Sequence, residues 1–175
     1  RYISYNDVGL IYHIEKKDFE KGIDNIKESA FAEYPFGQNN FGLINEFYLN
    51  KKENAEYMYQ RSSKHNFALA EFNLGRMLES DNKIEESIEY FVQASEHEEE
   101  PLEYRSITRD DKRLKISKKF IICLTNLKLF IHFYSKNEFD ESKKYLIKAF
   151  NNFTLNSKDL IYQFKFKIRN QQEYS

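Results

Sequence analysis

Residues 68–97 read ALAEFNLGRMLESDNKIEESIEYFVQASEH, and the pattern in this stretch occurs twice more, nearer the start of the chain. Three glycines in similar surroundings mark the pattern, and they are 33 residues apart: Gly9 in NDVGLIY, Gly42 in NNFGLIN and Gly75 in FNLGRML. Self-similarity at a fixed period of this length is typical of stacked helix-turn-helix units. The sequence therefore predicts a helical-repeat fold.

A second element follows each glycine at a nearly constant distance. It reads DFEKGIDNIKESA at 18–30, ENAEYMYQRSSKH at 53–65 and IEESIEYFVQASEH at 84–97. Small residues recur within it, seven positions apart: Gly22 and Ser29, Ala55 and Ser62, Ser87 and Ala94. Because seven residues is close to two helical turns, the members of each pair lie on one face of a helix. This pattern predicts that each second helix approaches its neighbour closely.

A fourth, diverged unit follows after a longer interval. LFIHFYSKNEFDESKKYLIKAF (129–150) aligns with residues 74–95 at an offset of 55, with Phe130 where the glycine would be. The stretch at 156–170 suits a capping helix, although its FKFKI alternation would equally suit a strand. We therefore expect one all-α domain over 1–175, an α-solenoid of antiparallel helix pairs, with these parts: units at about 3–33, 35–66, 67–97 and 112–151, a connector at 98–111 and a C-terminal cap at 152–170.

Composition restricts the fold class and the compartment. Five glycines and two prolines leave little turn chemistry for an all-β fold. The single cysteine, Cys123, excludes an intrachain disulfide, and no apolar run approaches the roughly 20 residues of a membrane span. These features predict an intracellular, cytoplasmic protein without a membrane partner. The chain begins at Arg1 and not at Met, so we expect it to be a piece of a longer protein.

The repeat residues also carry a family resemblance. The first-helix motif of Sel-1-like repeats is matched by Ala68, Leu74 and Gly75, and the second-helix motif by Ala55, Met58, Tyr59, Ser62 and Ser63. The chain thus resembles Sel-1-like repeat proteins, a branch of the tetratricopeptide class, of the kind found in AT-rich protists. It departs from them in frequent Ser for Ala, in the absence of Trp and in lacking a Gly-rich loop between helices. The short loops make the units similar to plain tetratricopeptide repeats.

This resemblance implies a role as a protein-interaction scaffold or adaptor, with the first helix of each unit lining a concave, peptide-binding or protein-binding surface. By repeat position, the residues expected to be exposed on that surface are Asn6, Leu10, His13, Asn39, Leu43, Glu46, Phe72, Arg76 and Glu79. The alternative is a regulatory or targeting segment of a larger enzyme such as a protein kinase, because some related proteins carry a kinase domain elsewhere.

Catalytic and cofactor chemistry finds little support in the sequence. The chain contains no GxxxxGK[ST], HExxH, GxSxG or GxGxxG motif. Its four histidines do not cluster, and His65 and His97 recur at equivalent positions 32 residues apart. Cys123 lies in an apolar run, where a packed thiol is the favoured interpretation. We therefore expect no enzyme activity, no cofactor and no metal.

Charge is distributed unevenly between the two parts of the chain. Residues 1–100 hold 11 basic and 20 acidic residues, whereas 101–175 hold 16 basic and 8 acidic ones. The basic run after position 103 is a candidate contact for an acidic protein surface through Arg105, Arg109, Lys112, Arg113 and Lys115. The other interpretation is a solvated connector. Nucleic acid is a disfavoured partner, because the run lacks interleaved aromatic residues and the pI is about 6.5.

Two further expectations concern local structure. The repeat phase places Gly75 at a tight helix crossing, so Gly75→Leu should destabilise the protein while Arg76→Ala should be nearly neutral. Apolar residues return from Leu114 onward, which predicts a long helix from about Asp111 or Lys112 to about Tyr134. The preceding residues 98–110 are then expected to form an exposed connector or a short helix.

Overall fold

The computed structural model describes residues 2–97, 103–107 and 113–152, and helices dominate these ranges. The α-helices are α1 (Tyr2–Leu10), α2 (Phe19–Phe31), α3 (Pro35–Phe47), α4 (Lys52–Ser63), α5 (Ala68–Ser80), α6 (Ile84–Ser95), α7 (Lys118–Ser135) and α8 (Phe139–Asn151). One turn of π-helix, Ile11–Glu15, extends α1. Pro35 occupies the first turn of α3, where its missing N–H leaves no helical hydrogen bond unmade.

Consecutive helices pack against each other in antiparallel pairs: α1 with α2, α3 with α4, α5 with α6 and α7 with α8. Further contacts join α2 to α3, α4 to α5 and α6 to α7, so that the pairs stack in chain order. The predicted all-α solenoid of helix pairs is confirmed. It has one addition, a two-stranded antiparallel ribbon of β1 (Glu103–Ile107) and β2 (Arg113–Ser117), inserted between the third and fourth pairs.

The short turns between helices reverse the chain without glycine. Each of the six described turns contains one residue with a φ of 52° to 62°: Lys17, Glu33, Asn50, Asn66, Asn82 and Asn137. Asparagine tolerates this left-handed conformation better than most residues because its short side chain can hydrogen-bond locally. The abundance of Asn in the sequence therefore has a structural use, and the scarce glycines are left for helix contacts.

Those helix contacts follow the predicted small-residue pattern. The small residues of α2, α4 and α6 are all buried: Gly22, Ser29, Ala55, Ser62, Ser87 and Ala94. Larger side chains fill the layer between the helices, with Tyr59 and Phe91 almost completely removed from solvent. Tyr59 packs with Leu43 and Leu74, and so joins the second and third helix pairs in one core.

The region before α7 differs from the prediction. Helix α7 begins at Lys118, six or seven residues later than expected, although its end at Ser135 agrees within one residue. Residues 113–117, RLKIS, pair with residues 103–107 in an antiparallel ladder that runs from Glu103↔Ser117 to Ile107↔Arg113. Leu114 and Ile116 are two residues apart, which is the period of a strand, and the helical interpretation of this spacing was wrong. The expected connector thus includes one strand of the ribbon.

The ribbon lies on a defined side of the solenoid. The first helices of the four pairs, α1, α3, α5 and α7, form one layer, whose outward surface we call the first-helix face. Strand β1 packs against α3 and, less extensively, against α1, and its contacts are concentrated on these two helices. An extended segment of the chain therefore packs against the first helices of the first two pairs.

Apolar side chains are exposed at the last described pair. On α8, Phe139, Ile147 and Phe150 are each more than half exposed, and Tyr134 at the end of α7 packs edge-on against Phe139. The expected capping helix at 152–170 falls beyond Asn152 and so lies outside the described residues. None of the helices that the structure describes is both long and apolar enough to cross a membrane.

Candidate partner-binding surface

Most of the first-helix residues expected to be exposed are buried. Six of the nine are 8% exposed or less: Asn6, Leu10, His13, Asn39, Leu43 and Phe72. The expectation of an exposed lining was wrong for them, because the helices are packed so closely that these positions lie between helices. Leu10 joins Ile26 and Ile44 in the core, for example, and the His13 ring packs edge-on between the rings of Phe19 and Tyr48.

Asparagine side chains link neighbouring first helices. The Nδ2 of Asn40 donates to the Oδ1 of Asn6 at 2.9 Å, and the Nδ2 of Asn73 donates to the Oδ1 of Asn39 at the same distance. Both bonds are buried and join residues 34 apart. The amides of Asn6 and Asn39, which the sequence analysis placed on the exposed binding surface, thus hold neighbouring first helices together. A buried amide without its partner would carry a desolvation cost, so these pairs help to fix the register of the stack.

The remaining three predicted residues carry charges and reach the surface. Glu46 accepts hydrogen bonds from Arg76 Nη2 at 2.6 Å and from the Tyr59 hydroxyl at 2.8 Å. The Arg76 guanidinium also lies 5.3 Å from the centre of the Phe47 ring, within the range of a cation–π contact. The Arg76 side chain is 30% exposed and that of Glu46 is 15% exposed. This cluster joins the second and third helix pairs at the edge of the solvent.

Electrostatics within the cluster favour its present protonation state. Burial raises the pKa of Tyr59 well above its ordinary value, and the charge of Glu46 adds to the effect. For Arg76, burial alone would lower the pKa, but the hydrogen bond and the charge of Glu46 outweigh it, so the net direction is upward. Both shifts favour a neutral phenol at Tyr59 and a charged guanidinium at Arg76 across the physiological pH range.

A second charge pair continues the series toward the fourth helix pair. Lys128 Nζ lies 2.5 Å from Glu79 Oε2 and 5.1 Å from the centre of the Phe91 ring. Arg76 and Glu79 are three residues apart on α5, so they share one side of that helix. We name the surface made by Glu46, Phe47, Arg76, Glu79 and Lys128 the charged strip. It crosses α3, α5 and α7 and presents both signs of charge beside an exposed aromatic ring.

Three of the five predicted basic residues lie in the strands of the ribbon. Arg105 lies in β1, and Arg113 and Lys115 lie in β2, where Arg105 and Lys115 are paired in register. Arg109 and Lys112 lie outside the described residues. The basic run is therefore no isolated connector: three of its five selected residues belong to an element that packs on the helix layer.

The other His, Cys, Asp and Glu side chains of the described ranges are spread over the helices. Within residues 2–97, 103–107 and 113–152, no three His, Cys, Asp or Glu side chains cluster so as to hold a metal ion. Cys123 is buried in α7. His97 Nε2 lies 2.6 Å from Glu71 Oε2, which ties the end of α6 back to α5, whereas His65 at the equivalent repeat position is exposed.

Two sets of contacts were missed from the sequence. Asn39 recurs 33 residues after Asn6, and Asn73 recurs 33 residues after Asn40; this repetition of a polar residue inside apolar helices could have indicated the buried amide contacts. The pairing of Arg76 with Glu46 had no comparable signal, because 30 residues separate the two and no periodic rule selects one carboxylate among many.

Comparison with known proteins gives support at the level of the fold. No protein-family model matches the chain, and no curated protein sequence matches it. Among solved structures, the chain is similar to MamA, a tetratricopeptide-like helical repeat protein, with 16% sequence identity and a TM-score of 0.55. The similarity covers 87% of this chain and 78% of MamA. At this identity the likeness concerns the fold alone: this chain has the fold of a tetratricopeptide-like helical repeat protein.

Proposed function

We propose that this chain is a protein-interaction scaffold that binds an extended protein segment along its first-helix face. The observation that carries the proposal is the charged strip, which combines Phe47 with paired charges on three neighbouring first helices. Aromatic and Arg side chains at a surface are the residue types that dominate binding energy in protein interfaces. The helical-repeat fold supports the same proposal, because stacked helix pairs present a continuous surface.

The strip suits a polar peptide or protein surface. Glu46, Arg76, Glu79 and Lys128 are already paired with each other, so a partner would meet a preformed arrangement and little side-chain entropy would be lost on binding. Both signs of charge are present, which favours a partner with complementary alternating charges over a uniformly charged polymer. We accordingly propose Glu46, Arg76 and Glu79 as partner contacts, and we expect no catalytic step.

The experiment begins with a phage-displayed library of random 15-residue peptides that is selected against the purified chain. Enriched peptides are synthesised, and their affinity is measured by fluorescence anisotropy. The double variant Phe47→Ala/Glu79→Ala should weaken binding at least about tenfold, since truncation of an interface anchor costs more than about 1.4 kcal/mol.

The matched control replaces one aromatic and one acidic residue on second helices. Tyr57 on α4 and Glu89 on α6 are exposed, so Tyr57→Ala/Glu89→Ala should leave the affinity unchanged. The proposal fails if no peptide is enriched above the background of an unrelated helical protein. It fails equally if the control variant weakens binding as much as the strip variant does.

Finer assignments are also proposals. The Sel-1-like subtype rests on the residues that resemble its motifs, and the cytoplasmic location rests on composition. That residues 1–175 form one domain of four units and a cap is a proposal drawn from the repeat phase. The alternative role, a regulatory or targeting segment of a larger enzyme such as a protein kinase, stays a prediction.

A further inference from the structure

Helix α8, the last described helix, carries an exposed apolar stripe. Phe139, Ile147 and Phe150 are 56%, 51% and 63% exposed. Because eight and three residues separate them, they lie on one side of the helix. The buried residues of α8 lie on another side and are Ser142, Tyr145 and Ala149. We name the surface made by Phe139, Ile147 and Phe150 the end face, since it lies on the last described helix pair.

The repeat alignment indicates what the end face is suited to bind. Residues 129–150 align with residues 74–95, so Ile147 on α8 takes the position of Val92 on α6. Val92 is half-buried and packs against a core cluster to which α7, the next first helix, contributes Ile121. Helices α6 and α7 are also in direct contact. The end face is therefore equivalent to a side of α6 that takes part in stacking on the following helix pair.

The chain continues from this helix into a segment with the pattern of an amphipathic helix. Residues 153–175 lie outside the described residues. In their sequence, Ser157 can cap a helix, and four apolar residues at the spacing i, i+1, i+4 and i+8 share an arc of about 100°: Leu160, Ile161, Phe164 and Ile168. Three basic residues fall on the other side of such a helix: Lys158, Lys165 and Arg169.

The repeat phase selects the same residues. In the first two junctions, the glycine of the next first helix follows the small residue of the second helix by 13 positions: Ser29 to Gly42, and Ser62 to Gly75. The same interval from Ala149 leads to Tyr162, so Ile161 takes the position of Phe41. The Phe41 ring lies 6.3 Å from the ring of Phe31 on the preceding second helix. Ile161 thus stands where a first helix contacts the second helix before it.

Hydrogen bonding favours a helix over a strand on this surface. The FKFKI alternation at 164–168 is compatible with either structure. A strand laid on α8 would find no backbone ladder there, because a helix makes its N–H to C=O bonds within itself. Buried backbone groups without partners carry a large free-energy cost. A helix brings its own hydrogen bonds and leaves only side chains to be packed.

We propose that the end face is a docking surface for residues 157–169 of the same chain, which form one further first helix and place Ile161 and Phe164 against Ile147 and Phe150. The docked helix closes the stack, because its other side is mainly polar, as the terminal element of a solenoid requires. This inference goes beyond the proposed function: it concerns the end of the solenoid and does not depend on the charged strip.

The test introduces a fluorescent reporter into the full chain. The chain contains no Trp, so a single introduced indole reports its own surroundings. Phe164→Trp and Phe166→Trp are compared, because positions 164 and 166 lie on different sides of a helix but on the same side of a strand. We expect blue-shifted emission and weak acrylamide quenching for Phe164→Trp, and red-shifted emission with strong quenching for Phe166→Trp.

A second substitution links the reporter to the end face. Phe150→Ala in the Phe164→Trp chain should shift the emission to the red and increase quenching, since the indole loses part of its cover. Tyr57→Ala is the matched control, because Tyr57 is an aromatic residue on the second helix α4 that is exposed to a similar degree, 54%. This control should leave the emission of Phe164→Trp unchanged.

A stability cycle keeps the test decisive if an indole does not fit at position 164. Phe150→Ala, Phe164→Ala and the double variant are compared by thermal unfolding of the full chain. Each single change should lower the midpoint by at least about 2 °C, and the double variant should lose less than the sum, because the two side chains are in contact. Additive losses, or no loss from Phe164→Ala, would overturn the proposal.

The remaining outcomes also decide the matter. Equal shielding of the indole at positions 164 and 166 would indicate a strand and would overturn the docked helix. Emission at position 164 that Phe150→Ala does not change would show that the segment does not dock on the end face. A dimer of the unaltered chain in analytical ultracentrifugation that Phe150→Ala dissociates would assign the end face to a second copy, and the proposal would be wrong.

Discussion

Gly75 on α5 lies directly against the ring of Phe91 on α6, where a Cβ atom built on the glycine would come within 2.6 Å of Phe91 Cε1. The same relationship is found at equivalent positions of the earlier pairs. A Cβ on Gly42 would meet Tyr59 Cε1 at 2.5 Å, and one on Gly9 would meet Ile26 Cγ1 at 2.5 Å. At each of these three glycines, a large side chain of the second helix therefore packs directly against the backbone of the first helix.

This contact predicts that Gly75→Leu destabilises the protein by about 1–3 kcal/mol, because the added side chain overpacks a filled crossing. Urea unfolding followed by circular dichroism measures the loss. The double variant Gly75→Leu/Phe91→Ala is the control: if the ring is the obstacle, the double variant loses less stability than the sum of the two single changes. Simple additivity would show that the crossing is not the cause.

The second prediction corrects an expectation from the sequence, that Arg76→Ala would be nearly neutral. Arg76→Ala should cost about 1–3 kcal/mol of stability, because Glu46 is left half-buried beside Tyr59 without its cation. Arg61→Ala is the matched control, since its partner Glu33 is 70% exposed, and it should cost less than about 0.5 kcal/mol. Equal unfolding free energies for the two variants would contradict the prediction.

A third prediction concerns alkaline pH. Because the pKa of Tyr59 is raised in the folded protein, first by burial and then by Glu46, the phenol contributes stability that is complete below its unfolded pKa of about 10. That contribution is lost as pH rises from this value toward the raised folded pKa, by at most about 1.4 kcal/mol per pH unit. Above pH 10 the unaltered chain should therefore lose stability faster than Tyr59→Phe does. Parallel stability curves for the two proteins between pH 8 and pH 11 would refute this prediction.

The fourth prediction tests the asparagine ladder. Asn73→Ala leaves the buried Oδ1 of Asn39 without its donor and should destabilise the protein by about 1–3 kcal/mol. Asn25→Ala is the comparison, because the Asn25 amide donates to the carbonyl of Lys21 in an exposed hydrogen bond within its own helix. That change should lie within about 0.5 kcal/mol of zero. Equal effects of the two substitutions on the melting temperature would mean that the ladder contributes nothing.

The packing role of Gly75 could be predicted from the sequence, whereas the charge pairing of the adjacent Arg76 could not. The 33-residue phase of the glycines was sufficient to predict the crossing at Gly75, since a residue without a side chain has few structural reasons to recur. Arg76 stands one position later and has no equivalent in the other pairs, where Leu10 and Leu43 occupy its place. Its role depends on Glu46, which folding brings to it from another helix pair.

The two-stranded ribbon is a second feature that the sequence did not predict. Residues 113–117 alternate polar and apolar side chains over only five positions, and the longer apolar run that follows them is helical. A short alternation is ambiguous because strand formation depends on a partner, here residues 103–107, and on the helices against which both pack. The packing of β1 against α1 and α3 could not be derived from local sequence for the same reason.

The sequence by itself determined the helical-repeat fold, the phase of the helix pairs and the close crossings at the glycines. These features follow from patterns along the sequence: the repeat period, helix propensity and the positions of small and large side chains. Only the tertiary structure decided that Asn6, Leu10 and Asn39 are buried, that Arg76 pairs with Glu46 and that β1 packs against α1 and α3. Exposure, charge pairing and docking depend on which distant segments meet, and that is fixed by the packing of the whole chain because no single stretch contains both partners.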